Sequence, residues 1–166
     1  MPYRSTKPRS SGVAGEVLVR KAVADDLAHL VDLYRHLTAT DPAVGLDEAE
    51  QVFETFHRYP GSAIFVAEVD GVLASSCALI VIPNLTRAGA PYALIENVVT
   101  HSDHRKRGHA RRVLDAAVDA AWAAGCYKAM LMTGSTTPGT HAFYRAIGFE
   151  QTKTGYQKRR IPVREE

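Results

Sequence analysis

The chain has 166 residues, 46% of them apolar and 23% charged, with a formal net charge of +2, the balance of a soluble single domain long enough to bury a core. A charge this small gives no electrostatic basis for a nucleic-acid partner, and no apolar run approaches the roughly 20 residues of a membrane span. The two cysteines, Cys77 and Cys126, lack metal or redox spacing and read as small core residues of a reduced, cytoplasmic protein.

In chain order, residues 1–15 are rich in Ser, Pro, Gly and basic side chains and read as a flexible tail, leaving 16–166 as one domain. Glu16 to Arg20 reads as a first strand. Ala24-Asp25-Asp26 then opens a helix whose apolar face is Leu27, Leu30, Val31, Tyr34 and Leu37. Asp41-Pro42 breaks the chain, and Asp47 to Tyr59 predicts a second helix. Ala63 to Val69 and Val72 to Ile82 are strands joined at Asp70-Gly71, a tight hairpin signal. The loop Pro83 to Pro91 leads into an apolar strand, Ala93-Leu94-Ile95 and Val98-Val99-Thr100, interrupted by the carboxylate Glu96. A basic turn, Arg105-Lys106-Arg107-Gly108-His109-Ala110, opens a long helix with apolar residues at Ala110, Val113, Leu114, Ala117, Val118, Ala121 and Trp122, and Gly125 ends it. Tyr127 to Thr133 is a further strand and Thr140 to Ile147 a short helix closed by Gly148. Phe149 to Lys153 and Tyr156 to Ile161 predict a terminal strand pair. Hairpins first, then strands alternating with helices, indicate a mixed α/β sheet.

The strand–turn–helix junction at 94–125 is chemically the most informative stretch. The first N–H groups of a helix have no intrahelical partner, and the helix dipole adds partial positive charge at the same place. Gly108 lacks a Cβ and admits close approach to the backbone, while Arg105, Lys106 and Arg107 add cations. A pyrophosphate is the ligand this arrangement suits, although neither GxxxxGK[ST] nor GxGxxG is present.

RKRGHA fits R/Q-x-x-G-x-G/A, and HAFYRAIGFE at His141 to Glu150 resembles FYxxxGF. Together with the preceding Glu-bearing strand, these resemble the acetyl-CoA loop and late helix of the GNAT N-acetyltransferase superfamily, in type, order and spacing. The stretch VRKAVADDLAHLVDLY similarly resembles the opening of such domains. The resemblance implies an α/β (α+β) GNAT fold, a mixed central sheet of about six to seven strands flanked by about four helices, usually as a homodimer. It implies acetyl-CoA as co-substrate, with the backbone of Val98, Val99 and Thr100 on the pantetheine arm and the N–H groups of Arg105, Lys106, Arg107, Gly108, His109 and Ala110 on the pyrophosphate. Family members often carry Asn near the position of Thr137; here Thr137, Thr140 or His141 would substitute. Tyr34, His36, His57 and Tyr59 fall in the region bordering the acceptor site, though each is more simply a packing or surface residue.

Acetyl transfer to an amine requires that an ammonium lose a proton, a thioester carbonyl be polarised and a thiolate be reprotonated. Glu96, an acidic residue in an apolar strand, suits the base, directly or through water; a structural ion pair is the alternative reading. Tyr144 matches the family's general acid, and a phenol can protonate a thiolate; a packing role beside Phe143 is the alternative. His101, His104 and His109 lie close together but lack ligand spacing, so no metal is expected. The reading is direct transfer from acetyl-CoA to the primary amine of a small molecule, an amino sugar, polyamine or similar. A peptide amine, or a non-catalytic CoA-binding regulatory domain, is the alternative. The arrangement looks especially like the glucosamine-6-phosphate N-acetyltransferase branch, whose members usually have Asp where this chain has Asn97.

Overall fold

The computed structural model describes residues 16–37, 42 and 44–160. The tail expected over residues 1–15 lies outside them. Five strands, β1 (Val17–Lys21), β2 (Ala63–Val69), β3 (Val72–Ile82), β4 (Tyr92–Thr100) and β5 (Ala129–Leu131), form one sheet in sequential order. The first four pair antiparallel and β5 joins β4 in parallel. Four α-helices accompany them: α1 (Leu27–Tyr34), α2 (Leu46–His57), α3 (His109–Ala123) and α4 (Pro138–Ala146).

Alternation along the strands gives the sheet two apolar faces, and each takes its own helices. Phe65, Cys77, Leu79, Val81, Ala93 and Ile95 pack with Val113, Leu114, Ala117 and Ala121 of α3, and Phe143 and Tyr144 of α4 lie against that cluster. Val66, Leu73 and Val99 pack on the other side with Leu27, Leu30 and Leu33 of α1 and Ala49 and Phe53 of α2. A partly buried ion-pair group fastens the start of α1 to the β1–β2 edge. Arg20 donates to both carboxylate oxygens of Asp26 at 2.6 and 2.8 Å and to Glu68 at 2.8 Å. Asp26 also accepts the N–H of Val23, so its charge is held by three donors and its pKa lies below the usual carboxylate range, chiefly through Arg20.

The hairpin at Asp70-Gly71 forms as expected, with both residues in the left-handed region at φ 50° and 79°. The sheet differs from expectation at its far end. Among the described residues there are five strands, not six to seven, because the predicted terminal pair does not form: Phe149–Arg160 contains no strand, and residues 150–160 are exposed. Alternating residues alone do not make a strand; the backbone needs an edge to pair with, and β5 offers only three paired residues. Ile161 lies outside the described residues. The strand predicted over Tyr127–Thr133 is likewise short, since its ladder with β4 runs only from Ala93↔Ala129 to Ile95↔Leu131. Trp122, placed on the apolar stripe by spacing, is 50% exposed, and His109 is buried at the N-terminal end of that stripe instead. Leu37 sits beyond the end of α1 and is exposed. Proline at the first position of α4 starts that helix two residues before the predicted Thr140.

The contrast between core and surface yields a stability test. Leu79, 0% exposed in the centre of the α3 face, should cost about 2–5 kcal/mol when changed to alanine. Leu85, 101% exposed in the β3–β4 loop, should change stability by less than about 0.5 kcal/mol when changed to serine. Urea unfolding of the two variants checks both.

Candidate active site

The site is built around the place where β4 leaves its neighbour. The parallel ladder ends at Ile95↔Leu131, whereas β4 runs on to Thr100. On the other edge, β3 stays paired with β4 through a bulge. Ala78 opposes Glu96 and Ser76 opposes Val99, so Cys77 faces the two residues Asn97 and Val98. Asn97 takes the strain of the bulge at φ 53°, a conformation asparagine tolerates better than most residues. Beyond Ile95, therefore, the β5-facing edge of β4 carries no ladder bonds among the described residues.

The same bulge sorts the side chains. Ile95 and Val98 point to the α3 face and Val99 to the α1 face, so Glu96, next to Ile95, stands on the α1 side. It takes part in none of the salt bridges among the described residues. Burial pushes its carboxyl pKa upward. Of the three residues expected to serve a pantetheine arm, two already use their carbonyls: Val99 O accepts from Ser75 Oγ at 2.6 Å and Thr100 O from Arg105 Nε at 3.3 Å. Val98 packs against the α3 core.

After β4, a short 3₁₀ turn at Ser102–His104 carries the chain to Arg105–Gly108. Lys106 and Gly108 lie in the left-handed region at φ 60° and 81°. A Cβ on Gly108 would meet nothing, so the glycine is required by its dihedral angle and leaves open space above the helix start. Gly108 caps α3, and the N–H groups of its first turn, His109, Ala110 and Arg111, have no intrahelical acceptors. Lys106 and Arg107 are exposed. Arg105 is occupied, donating to Thr100 O and His36 O, both at 3.3 Å. It therefore shapes the turn as well as charging it. His109 is 5% exposed and neither ring nitrogen has a hydrogen-bond partner; burial, then the neighbouring His104, Arg112 and Arg107, pushes its pKa down.

Tyr144 is positioned by the way α4 ends. Gly148 is in the left-handed region, its N–H donates to Arg145 O at 3.1 Å, and the N–H of Phe149 donates to Tyr144 O at 3.0 Å. This is a Schellman closure, and the rings of Tyr144 and Phe149, 6.2 Å apart, make the apolar contact that accompanies it. The spacing Tyr-x-x-x-Gly-Phe is thus the spacing of a helix end. Tyr144 is half-buried against the α3 core, and burial raises its phenol pKa.

Thr137 and His141 serve the loop before α4. Thr137 N–H donates to Ser135 Oγ at 3.2 Å, and His141 Nε2 donates to Ser135 O at 2.8 Å. Ser135 also exchanges a hydrogen bond with Thr140 at 3.2 Å. Sequence reasoning missed Ser135 as the organiser of this loop; a serine three residues before a helix-opening proline was the available signal. His57 is bound to its own helix through Phe53 O at 3.1 Å and Tyr59 is exposed, whereas Tyr34 packs into the α1 core. Among the described residues no group of three or more His, Cys, Asp or Glu is arranged to hold a metal ion, and no helix is long and apolar enough to cross a membrane.

Comparison with known proteins identifies the fold and the family. The putative acetyltransferase from Agrobacterium tumefaciens str. C58 superposes with a TM-score of 0.82 at 45% identity, covering 86% of this chain and 99% of that one. The glucosamine-6-phosphate N-acetyltransferase from Arabidopsis thaliana shares the fold with a TM-score of 0.80 at 23% identity, over 88% of this chain and 99% of that one. In sequence, the glucosamine 6-phosphate N-acetyltransferase of Trypanosoma brucei brucei is 27% identical over 126 residues, 75% of this chain and 82% of that protein. The model of the acetyltransferase (GNAT) family matches residues 30–149, and with most of the chain inside that match the protein belongs to the GNAT acetyltransferases.

Proposed function

We propose that this acetyltransferase moves the acetyl group of acetyl-CoA directly to the primary amine of a small molecule, with Glu96 as base and Tyr144 as acid. The observation that carries the reading is the unpaired edge of β4 where it runs past β5. Glu96 stands on one sheet face beside that edge and Tyr144 packs on the other, and the strand runs on through the turn to the N–H groups without intrahelical acceptors at the start of α3.

In this reading the first-turn N–H groups of α3 and the cations Lys106 and Arg107 hold the cofactor's phosphates. The free backbone of β4 around Val98 takes the amide groups of the arm. The acceptor approaches from the α1 side. Glu96 removes a proton from its ammonium, directly or through one water, and the freed nitrogen attacks the thioester carbonyl carbon. The C–N bond forms, the C–S bond breaks, and the thiolate leaves with a proton from the Tyr144 hydroxyl, which solvent restores. The raised pKa of Glu96 makes it a stronger base than an ordinary carboxylate, and its lack of an ion-pair partner leaves its lone pairs available. Both free cysteines are buried, and burial raises the Cys77 thiol pKa to about 12, so neither suits a covalent acetyl carrier.

A small amine as acceptor is supported by the trypanosomal relative, whose name gives an amino-sugar phosphate. Asn97 stands here in place of the Asp usual in that branch, so the shared sugar phosphate does not follow. The reading also takes the enzyme as a cytoplasmic homodimer.

Glu96→Gln should lower kcat by about 10²–10⁴-fold while acetyl-CoA still binds. The linkage has a definite sign. A carboxyl whose folded pKa is raised favours the fold below its unfolded value, near 4.3, and opposes it once ionised. Glu96→Gln should therefore be at least as stable as the parent at neutral pH, and the parent's kcat/KM should rise with pH through the folded Glu96 pKa. A thiol-release assay across an amine panel, with calorimetric acetyl-CoA titration and thermal melts, checks all three.

Tyr144→Phe keeps the ring packing and removes the proton, so kcat should fall with little change in acetyl-CoA affinity. Unchanged kcat would reduce Tyr144 to packing. Gly108→Ala places a Cβ on a left-handed residue, at a cost of about 1–2 kcal/mol. Weaker acetyl-CoA binding beyond its change in stability is the expected outcome, read by calorimetry.

A further inference from the structure

The turn between β4 and α3 is held from below by imidazoles rather than by backbone alone. The N–H of Ser102 donates to Nδ1 of His36, at the end of α1, at 3.4 Å, and the N–H of Asp103 donates to Nδ1 of His101 at 3.2 Å. A backbone amide can only donate, so each Nδ1 must carry a lone pair and each neutral ring must hold its proton on Nε2. Protonation would turn both acceptors into donors, setting N–H against N–H at two successive residues of the turn.

The rings also pack on one another. The centroids of His36 and His101 are 4.1 Å apart, those of His101 and His104 5.5 Å, and those of His104 and His109 5.9 Å, so a row of four imidazoles runs from α1 to the first residue of α3. Arg105, tied to His36 O and Thr100 O, places a permanent cation beside the row. The lower end of the turn is fixed independently, by the N–H of His101 donating to Ala74 O at 2.9 Å. His36 and His101 further line a cavity of about 210 Å³ with His29, Asp32 and Leu33 of α1 and with Gly71, Val72 and Leu73, so water and protons reach the pair.

We propose that His36 and His101 are positioning residues for the phosphate-binding turn, which they latch through two neutral imidazole acceptors, so that acid releases the turn and weakens its hold on the cofactor. This rests on the assignment of Arg105–Ala110 to the phosphates of acetyl-CoA.

Among the described residues the charged and titratable neighbours of the pair are few. From α1 come His29, Asp32 and Arg35; Asp32 and Arg35 pair weakly with each other in solvent at 3.7 Å. From the turn come Asp103, His104 and Arg105, and the residues contributed by the β2–β3 side, Gly71, Val72 and Leu73, do not titrate. Burial, then His101 and Arg105, lowers the His36 pKa, and Asp103 opposes them. The His36 half of the latch is therefore complete above the unfolded histidine value of about 6.5 and is lost as the pH falls through its lowered folded value.

Replacing both histidines by asparagine supplies an oxygen acceptor near each Nδ1 position that does not titrate. Isothermal calorimetry with CoA should compare parent and His36→Asn/His101→Asn protein from roughly pH 7.5 to 5.5, each relative to its own affinity at the upper pH. The 3′-phosphate of CoA titrates identically in both, near pKa 6, so the comparison isolates the latch. The parent should lose about tenfold more affinity than the double variant; parallel profiles would overturn the coupling.

Amide and imidazole NMR of the free protein decides the latch separately. The Ser102 and Asp103 amide resonances should move with the titration of the His36 and His101 rings in the parent and stay still in the variant. Amides indifferent to those rings would overturn the latch whatever CoA does. Failure of both proteins to bind CoA at the upper pH would instead overturn the cofactor assignment.

Discussion

The structure depends on β4 being allowed to end its partnership with β5 before it ends itself. A buried strand with a free edge is costly unless its N–H and C=O groups find other partners. This chain meets that demand unevenly. The β3 edge stays paired through the bulge at Asn97, Ser75 satisfies Val99 O, and Arg105 satisfies Thr100 O. What remains free is the β5-facing edge around Val98. An extended ligand bearing amides of its own is the natural complement of such an edge. The same bulge that keeps β3 in register also reverses the alternation, leaving Glu96 and Val99 on the α1 face and Ile95 and Val98 on the α3 face. Strand geometry thus separates the side that carries Glu96 from the side where Tyr144 packs.

The second requirement is that the turn after β4 deliver the start of α3 beyond the end of that edge. Here the cations divide the work. Arg105 is spent on two backbone carbonyls, one from its own strand and one from the end of α1, while Lys106 and Arg107 remain exposed. A motif that reads as three equivalent positive charges is, in three dimensions, three exposed cations of which one is tied to two backbone carbonyls. The imidazole row beneath it joins α1, on one face of the sheet, to α3, on the other, through ring contacts and two amide–imidazole bonds.

Much of this was legible in the sequence where the signal is local. The Asp70-Gly71 hairpin follows from a turn type, with positive φ at both central residues, that Asp-Gly favours, and β2 and β3 run over the spans expected of them. The 3.6-residue stripe of α3 follows from Val113, Leu114, Ala117 and Ala121, and Gly125 ends the helix as a left-handed residue with Gly125 N–H on Trp122 O and Cys126 N–H on Ala121 O, both at 3.0 Å. Periodicity could not say where the stripe stops: Trp122 continues the spacing but overhangs the sheet. Nor could it supply a partner edge, and so the strand pair expected after Phe149 is absent from the described residues. The candidate site was legible as a set of residue types at a strand–turn–helix junction. The bulge that sorts Glu96 from Val98, the pairing of His36 with His101 sixty-odd positions away in sequence, and the engagement of Arg105 all arise from tertiary contact, which no local pattern encodes.

The central claim is that acetyl-CoA lies along the free edge of β4 with its phosphates on the start of α3. Backbone amide chemical shifts recorded during an acetyl-CoA titration test it most directly. The account predicts that the largest saturable changes fall at Val98–Thr100 and at Gly108–Arg111, with smaller changes at Tyr144. Changes confined to other surfaces, or an unperturbed β4 edge under saturating ligand, would contradict it.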